Sequence, residues 1–187
     1  MAYVTTISCK RIANPTSGGI DKFSMSIDFE YEMRKGILNW YPFEKGTKCL
    51  YIGSAGDAVC NLIIENEVDC IIASAAEVLS ELFQNKYKGT FDYVVAINKL
   101  ETAVRPRLLL EKIRTLMSKS GKLLFSVENR LGLKYVCGDK DPYTGNSFDG
   151  IEYYRSITDT QRQKMVGRCY SKAEIIEYIT QAGFSEI

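Results

Sequence analysis

Lys48-Cys-Leu-Tyr-Ile-Gly53 is a short apolar run that passes into a turn of small residues, Ser54-Ala-Gly-Asp57. Three similar runs follow it: Asp69-Cys-Ile-Ile-Ala73, Phe91-Asp-Tyr-Val-Val-Ala-Ile-Asn98 and Lys122 to Glu128. Each has the length and β-branched or aromatic content of a buried strand. Helical patterns fill the gaps between them. One runs from about Asp57 to Glu65. A second opens at Ser74-Ala-Ala-Glu77, where Ser and Glu can satisfy each other's free amides, and reaches about Lys86. A third begins near Thr102 with Pro106 in its first turn, carries Leu109, Ile113, Leu116 and Met117 as an apolar stripe, and stops at Gly121. Buried strands alternating with helices predict right-handed crossovers and an α/β fold, a mostly parallel sheet with helices on both faces. Ligands in such sheets bind at the carboxyl ends of the strands, here Gly53, Ala73, Asn98 and Glu128 with the loops beyond them.

Upstream, Ser26 to Trp40 has helical spacing through Ile27, Tyr31, Arg34 and Leu38, ended by Pro42 and the Lys45-Gly46 turn. Tyr3 to Cys9 has strand composition, and Asn14-Pro-Thr-Ser-Gly-Gly19 reads as a loop. Downstream, Ser171-Lys-Ala-Glu174 is another capping box, leading into Ile175, Ile176, Tyr178 and Ile179 and closing at Gly183. Residues 129 to about 158 form the longest irregular stretch and leave from a strand's carboxyl end, the position of a binding segment or lid.

The 187 residues suit one domain, divided here into an N-terminal extension, 1–25, and a main unit, 26–187. With 24 basic and 23 acidic side chains the net charge is +1, which gives no electrostatic case for nucleic acid or an anionic membrane. No segment has the roughly 18 apolar residues of a membrane span, no signal peptide is evident, and a cytoplasmic protein is expected. The six cysteines lack a Cys-x-x-Cys pair and read as small buried hydrophobes. The chain has no histidine, which excludes Ser-His and Cys-His dyads and argues against a structural zinc site. An acid or base must then be Asp, Glu, Tyr, Lys or Cys. No catalytic residue is singled out, and no metal site is expected.

Several of these segments resemble class I S-adenosylmethionine (SAM) methyltransferases, a three-layer Rossmann-like family. The likeness is greatest to a bacterial group found in surface-polysaccharide and glycosyltransferase gene contexts. It rests on Gly36-Ile-Leu-Asn-Trp-Tyr-Pro-Phe43 with the Lys48 strand, and on Val127-Glu-Asn-Arg-Leu-Gly-Leu-Lys-Tyr135. Cys137-Gly138, Tyr143-Thr-Gly145, Phe148-Asp-Gly-Ile-Glu152 and Gln181-Ala-Gly-Phe184 add to it. The resemblance covers about Ser26 to Phe184 and implies SAM as cofactor. It places the cofactor against Gly53, Ser54, Ala55, Gly56, Ser74, Asn98 and Leu100. It places the substrate, a small molecule or a sugar or polysaccharide precursor, against Glu128, Asn129, Arg130, Tyr135 and Tyr143.

The chain departs from that family in four ways. Where the family has the turn E-x-G-x-G-x-G, this chain has Tyr51 for the carboxylate, Ala55 for the second glycine and Asp57 for the third. At the end of the second strand Ala73-Ser74 stands where an acid usually holds the ribose hydroxyls, with Glu77 the nearest carboxylate. Only positions 75–90 separate the second strand from the next, too few for the helix, strand and helix of the family. The resemblance then implies four core strands ordered 2-1-4-5 in family terms. After Ala-Gly-Phe184 the family continues with two more strands, so the chain reads as truncated there, with an open sheet edge that Tyr3–Cys9 or a second copy would cover. Three readings follow: a methyltransferase acting on a small molecule, a catalytically inactive domain of that fold that serves as a binding or assembly module, or an α/β domain holding another ligand.

Overall fold

A computed structural model describes residues 2–5 and 29–185. A parallel sheet of five strands organises the described residues: β1 (Ala2–Thr5), β2 (Lys48–Ile52), β3 (Asp69–Ala73), β4 (Phe91–Ile97) and β5 (Met117–Ser126), in the order β1-β5-β4-β2-β3. Helices α1 (29–35) and α2 (Ala58–Glu65) lie on one side. The short α3 (Ala75–Leu79) and α4 (Glu81–Tyr87), with α5 (Pro106–Leu116) and α8 (Lys172–Gln181), lie on the other. Two further helices, α6 (Leu133–Val136) and α7 (Asp159–Lys164), belong to the long segment after β5.

The expected α/β architecture is present. β3-β2-β4-β5 is the 2-1-4-5 order that the resemblance implied, and residues 75–90 hold α3 and α4 with no strand between them. The central strands are buried on both faces. Leu50, Ile52, Val94 and Ala96 pack against α3, α5 and α8 through Val78, Leu109, Ile113 and Ile179. Cys49, Tyr51, Tyr93 and Val95 face α2 and the Leu38–Phe43 turn through Val59, Ile63, Tyr41 and Phe43. Alternate side chains of one strand thus feed two cores, as a strand's two-residue period requires. The parallel pairing of β1 with β5, from Ala2↔Leu123 to Thr5↔Ser126, covers that edge with the first part of the expected Tyr3–Cys9 strand. Residues 6–9, the 14–19 loop and the start of the first helix lie outside the described residues.

Four local expectations need correction. β3 is not a buried strand. Among the described residues it is a sheet edge, and only Ala73 is fully buried while Ile72 is exposed. The helix expected from Ser74 to Lys86 is broken at Ser80, whose backbone is extended (ψ 142°) and which caps α4 through the Phe83 amide. The helix before Gly121 ends at Leu116 instead. Met117 pairs with Phe91, residues 118–121 bulge out, and Lys122 resumes the ladder opposite Tyr93. Gly121 is needed there because a Cβ would lie 2.9 Å from the Phe91 carbonyl oxygen. Finally, regular helix after residue 29 gives way at Gly36 to turns through Trp40.

Candidate functional site

The carboxyl ends of β2, β3 and β4 form one rim. Gly53 N–H donates to the Ala73 carbonyl (3.0 Å), which holds the turn after β2 beside the start of α3. Ser54, Ala55, Gly56, Ser74 and Asn98 are all exposed along this rim. Gly56 has φ +83° and open space where a Cβ would be. Asn98 is left-handed (φ 51°), and its Oδ1 accepts from Ser126 Oγ (2.7 Å), which ties β4 to β5 at their ends. Leu100 is buried and offers the rim no side chain. Its carbonyl accepts from Tyr170 Oη (3.3 Å).

The altered turn residues have defined partners. Tyr51 is buried, and its ring lies against Gly53 so closely that any side chain there would collide with it. Burial, with the Asp57 carboxylate beside it, pushes the Tyr51 phenol up. Asp57 caps α2 through Val59 N–H (3.0 Å) and pairs with Arg34 of α1 at 2.6 Å. Ser74 and Glu77 form the expected capping box, with Glu77 Oε2 accepting from Ser74 N and Oγ, both at 2.7 Å. Hydrogen bonds from Ser74 hold the Glu77 carboxyl below its usual range.

The 129–158 segment is a folded arm, pinned by its own polar residues. Arg130 is 3% exposed, and its guanidinium bonds Glu174 of α8 (3.1 Å) and the carbonyls of Gly150 (3.3 Å) and Ile151 (3.2 Å). The two pieces that suggested a family, Glu-Asn-Arg and Phe-Asp-Gly-Ile-Glu, are therefore in direct contact. Asp141 accepts from Tyr143 N, Thr144 N and Tyr154 Oη, and Tyr154 Oη accepts in turn from Cys169 N (2.8 Å). Glu128 pairs with Lys134 (2.6 Å) and accepts from Tyr135 Oη (3.1 Å), while Asn129 Oδ1 accepts from Leu131 N. Burial pushes the phenols of Tyr135 and Tyr143 up. Glu128, Asn129, Arg130, Tyr135 and Tyr143 thus share one region beyond β5, but Arg130 and Tyr135 are buried structural members of it.

Beside that region is a cavity of about 710 Å³ that the sequence did not suggest, lined by the Glu101–Pro106 connection, Tyr153 and Tyr154, residues 165–168 and Tyr178. Glu101 is 2% exposed. Its Oε1 accepts from Glu128 N–H (2.6 Å), and its Oε2 has no hydrogen-bond partner. Burial raises its carboxyl above the usual range. The only available signal was a carboxylate just past a strand end, before a helix that starts with proline.

No protein-family model matches the sequence, and no curated protein does. Solved structures do match. A SAM-dependent methyltransferase of Thermotoga maritima superposes with a TM-score of 0.53 at 14% identity over 89% of this chain. Haemonchus contortus phosphoethanolamine N-methyltransferase 2, solved with phosphomonomethylethanolamine and S-adenosylhomocysteine, superposes with a TM-score of 0.51 at 16% identity over 84% of it. The fold is that of the SAM-dependent methyltransferases. At these identities the likeness is one of fold alone, and the chain spans 76% of the Thermotoga protein and 37% of the Haemonchus protein.

Measured against SAM, the rim of this methyltransferase fold fits in two respects. The Ser54–Gly56 turn is open, and the Asp57 carboxylate, a like charge to the cofactor's own, is neutralised by Arg34. On the ribose side β3 ends without a carboxylate, which leaves Ser74 and the exposed Glu77 as the polar groups within that stretch. No helix among the described residues is long and apolar enough to cross a membrane.

Proposed function

We propose that the rim formed by residues 53–56, Ser74 and Asn98 binds SAM and that the domain transfers its methyl group to a small molecule, such as a sugar or polysaccharide precursor, held beside the arm. The observation that carries this reading is the open turn after β2, next to the exposed ends of β3 and β4, in a methyltransferase fold. SAM, when bound, supplies an electrophilic methyl group. The residues that would hold SAM are Ser54–Gly56 through their backbone amides, Ser74 and Glu77 at the ribose hydroxyls, and Asn98 beside them. These residues bind and orient, so rate enhancement comes mainly from proximity. With hydroxyl and carboxylate shared with a capping box, affinity falls in the micromolar range. A lost charge-assisted bond of roughly 1.5–3 kcal/mol weakens binding tenfold or more.

A catalytically inactive binding module is the second reading. It is favoured by the turn itself, where the Tyr51 ring, Asp57 and Arg34 satisfy one another without a ligand. Calorimetric titration with SAM and S-adenosylhomocysteine decides between the two. Ala55→Glu is the matched control, because residue 55 is exposed and the new carboxylate would repel the cofactor's without touching the core.

A further inference from the structure

The cavity beside α5 has features that neither the fold nor the rim accounts for. Its volume, about 710 Å³, lies within the range of small-molecule sites. Its walls are largely apolar or aromatic: Val104 and Val166, which are 95% and 75% exposed, with Ala103, Pro106, Met165 and Tyr153. Solvated aliphatic side chains around one hollow mark a surface that gains from being covered. Two charged groups on this lining have hydrogen-bonding capacity that no protein group uses. Arg162 makes one hydrogen bond, to the Tyr154 carbonyl (2.9 Å), and has no ion-pair partner among the described residues. Arg168, by contrast, is paired with Glu174 and bonded to Tyr178 Oη. Glu101 is the second group, with one carboxyl oxygen bonded and the other buried and bare. Buried polar atoms are almost always satisfied, and Glu101, which lines the cavity, carries an acceptor that is not. The backbone contributes as well. α5 is eleven residues long and begins at Pro106 with no side-chain cap, so its first free amides add positive potential at the Val104–Pro106 side.

We propose that this cavity is a binding site for a small organic anion with an apolar or planar body and a hydroxyl or amine, in which Arg162 takes the anion and Glu101 takes the hydroxyl or amine. The apolar walls hold the body between them. The test of this cavity uses no SAM and does not depend on cofactor binding.

Amide-resolved NMR titration of the full chain with three probes tests it: para-hydroxybenzoate, benzoate, which lacks the hydroxyl, and para-cresol, which lacks the anion. The expected result is saturable shifts at Thr102–Val104, Tyr153 and Gly167 with para-hydroxybenzoate, and weaker binding of both other probes. Arg162→Ala, at an exposed position, should weaken para-hydroxybenzoate about tenfold and erase its advantage over para-cresol. Glu101→Gln should erase its advantage over benzoate. The proposal is overturned if none of the probes moves these amides up to about 10 mM. It is equally overturned if para-hydroxybenzoate binds the Arg162→Ala protein as well as the wild type. SAM titrated separately reports on the rim alone, so failure of one site is distinguishable from failure of the other.

Discussion

Arg130 illustrates how a residue's chemistry can be legible while its role is not. The sequence marks Glu128-Asn-Arg130 as a polar group at a strand's carboxyl end, where ligands bind. In the fold, the guanidinium is buried and joins the arm to α8. No sequence signal shows that Gly150 and Glu174 converge on it. Arg130→Ala takes the guanidinium away from the Gly150 and Ile151 carbonyls and removes one of two arginines facing Glu174, a loss of roughly 3 kcal/mol read as a lower urea midpoint. Arg130→Lys should recover little, because a single ammonium cannot span the carboxylate and both carbonyls. Glu101 makes a different prediction. Burial raises its pKa, so the folded state keeps a proton that the unfolded chain releases. Its contribution to stability is complete below the unfolded value of about 4.3 and is lost as pH rises through the folded value. Glu101→Gln cannot lose a proton. Urea unfolding across that window should show the variant gaining on the wild type as pH increases, and a constant difference would contradict it.

The elements themselves were largely readable, because hydrophobic period and capping chemistry agree along most of the chain. Ser74, Thr158 and Ser171 each open a helix with a full capping box. Two of the four misreadings share a cause. Around Ser80 the apolar positions Val78, Leu79, Leu82 and Phe83 keep helical spacing, so the pattern hides a break that lies in a single backbone angle. Around Gly121 the stripe through Met117 looks continuous, yet Met117 already pairs with Phe91 in the sheet. Both corrections can be tested. Ser80→Ala removes the acceptor for Phe83 N–H and the donor to the Glu77 carbonyl, at a cost of about 1 kcal/mol. Gly121→Ala forces a methyl group to 2.9 Å from the Phe91 carbonyl oxygen, and a loss of about 1–3 kcal/mol is expected. An uninterrupted helix over 75–86 would instead leave Ser80→Ala neutral or stabilising, because alanine is the better helix former.

For the molecule as a whole, four apolar runs sufficed to predict a parallel α/β sheet, and the order of its strands came from the family resemblance. The arm and the cavity were not legible. They form where residues 101–106, 130, 150–154 and 162–178 meet, and nothing local encodes that meeting. The result is a methyltransferase-type sheet whose turn is neutralised by Arg34 and whose polar arm is locked to α8. Calorimetric titration of the folded chain with SAM tests the central claim most directly. Saturable binding in the micromolar range is expected, weakened about tenfold or more by Ala55→Glu without a change in unfolding midpoint. Absence of heat up to about 1 mM SAM, from protein shown to be folded, would contradict it.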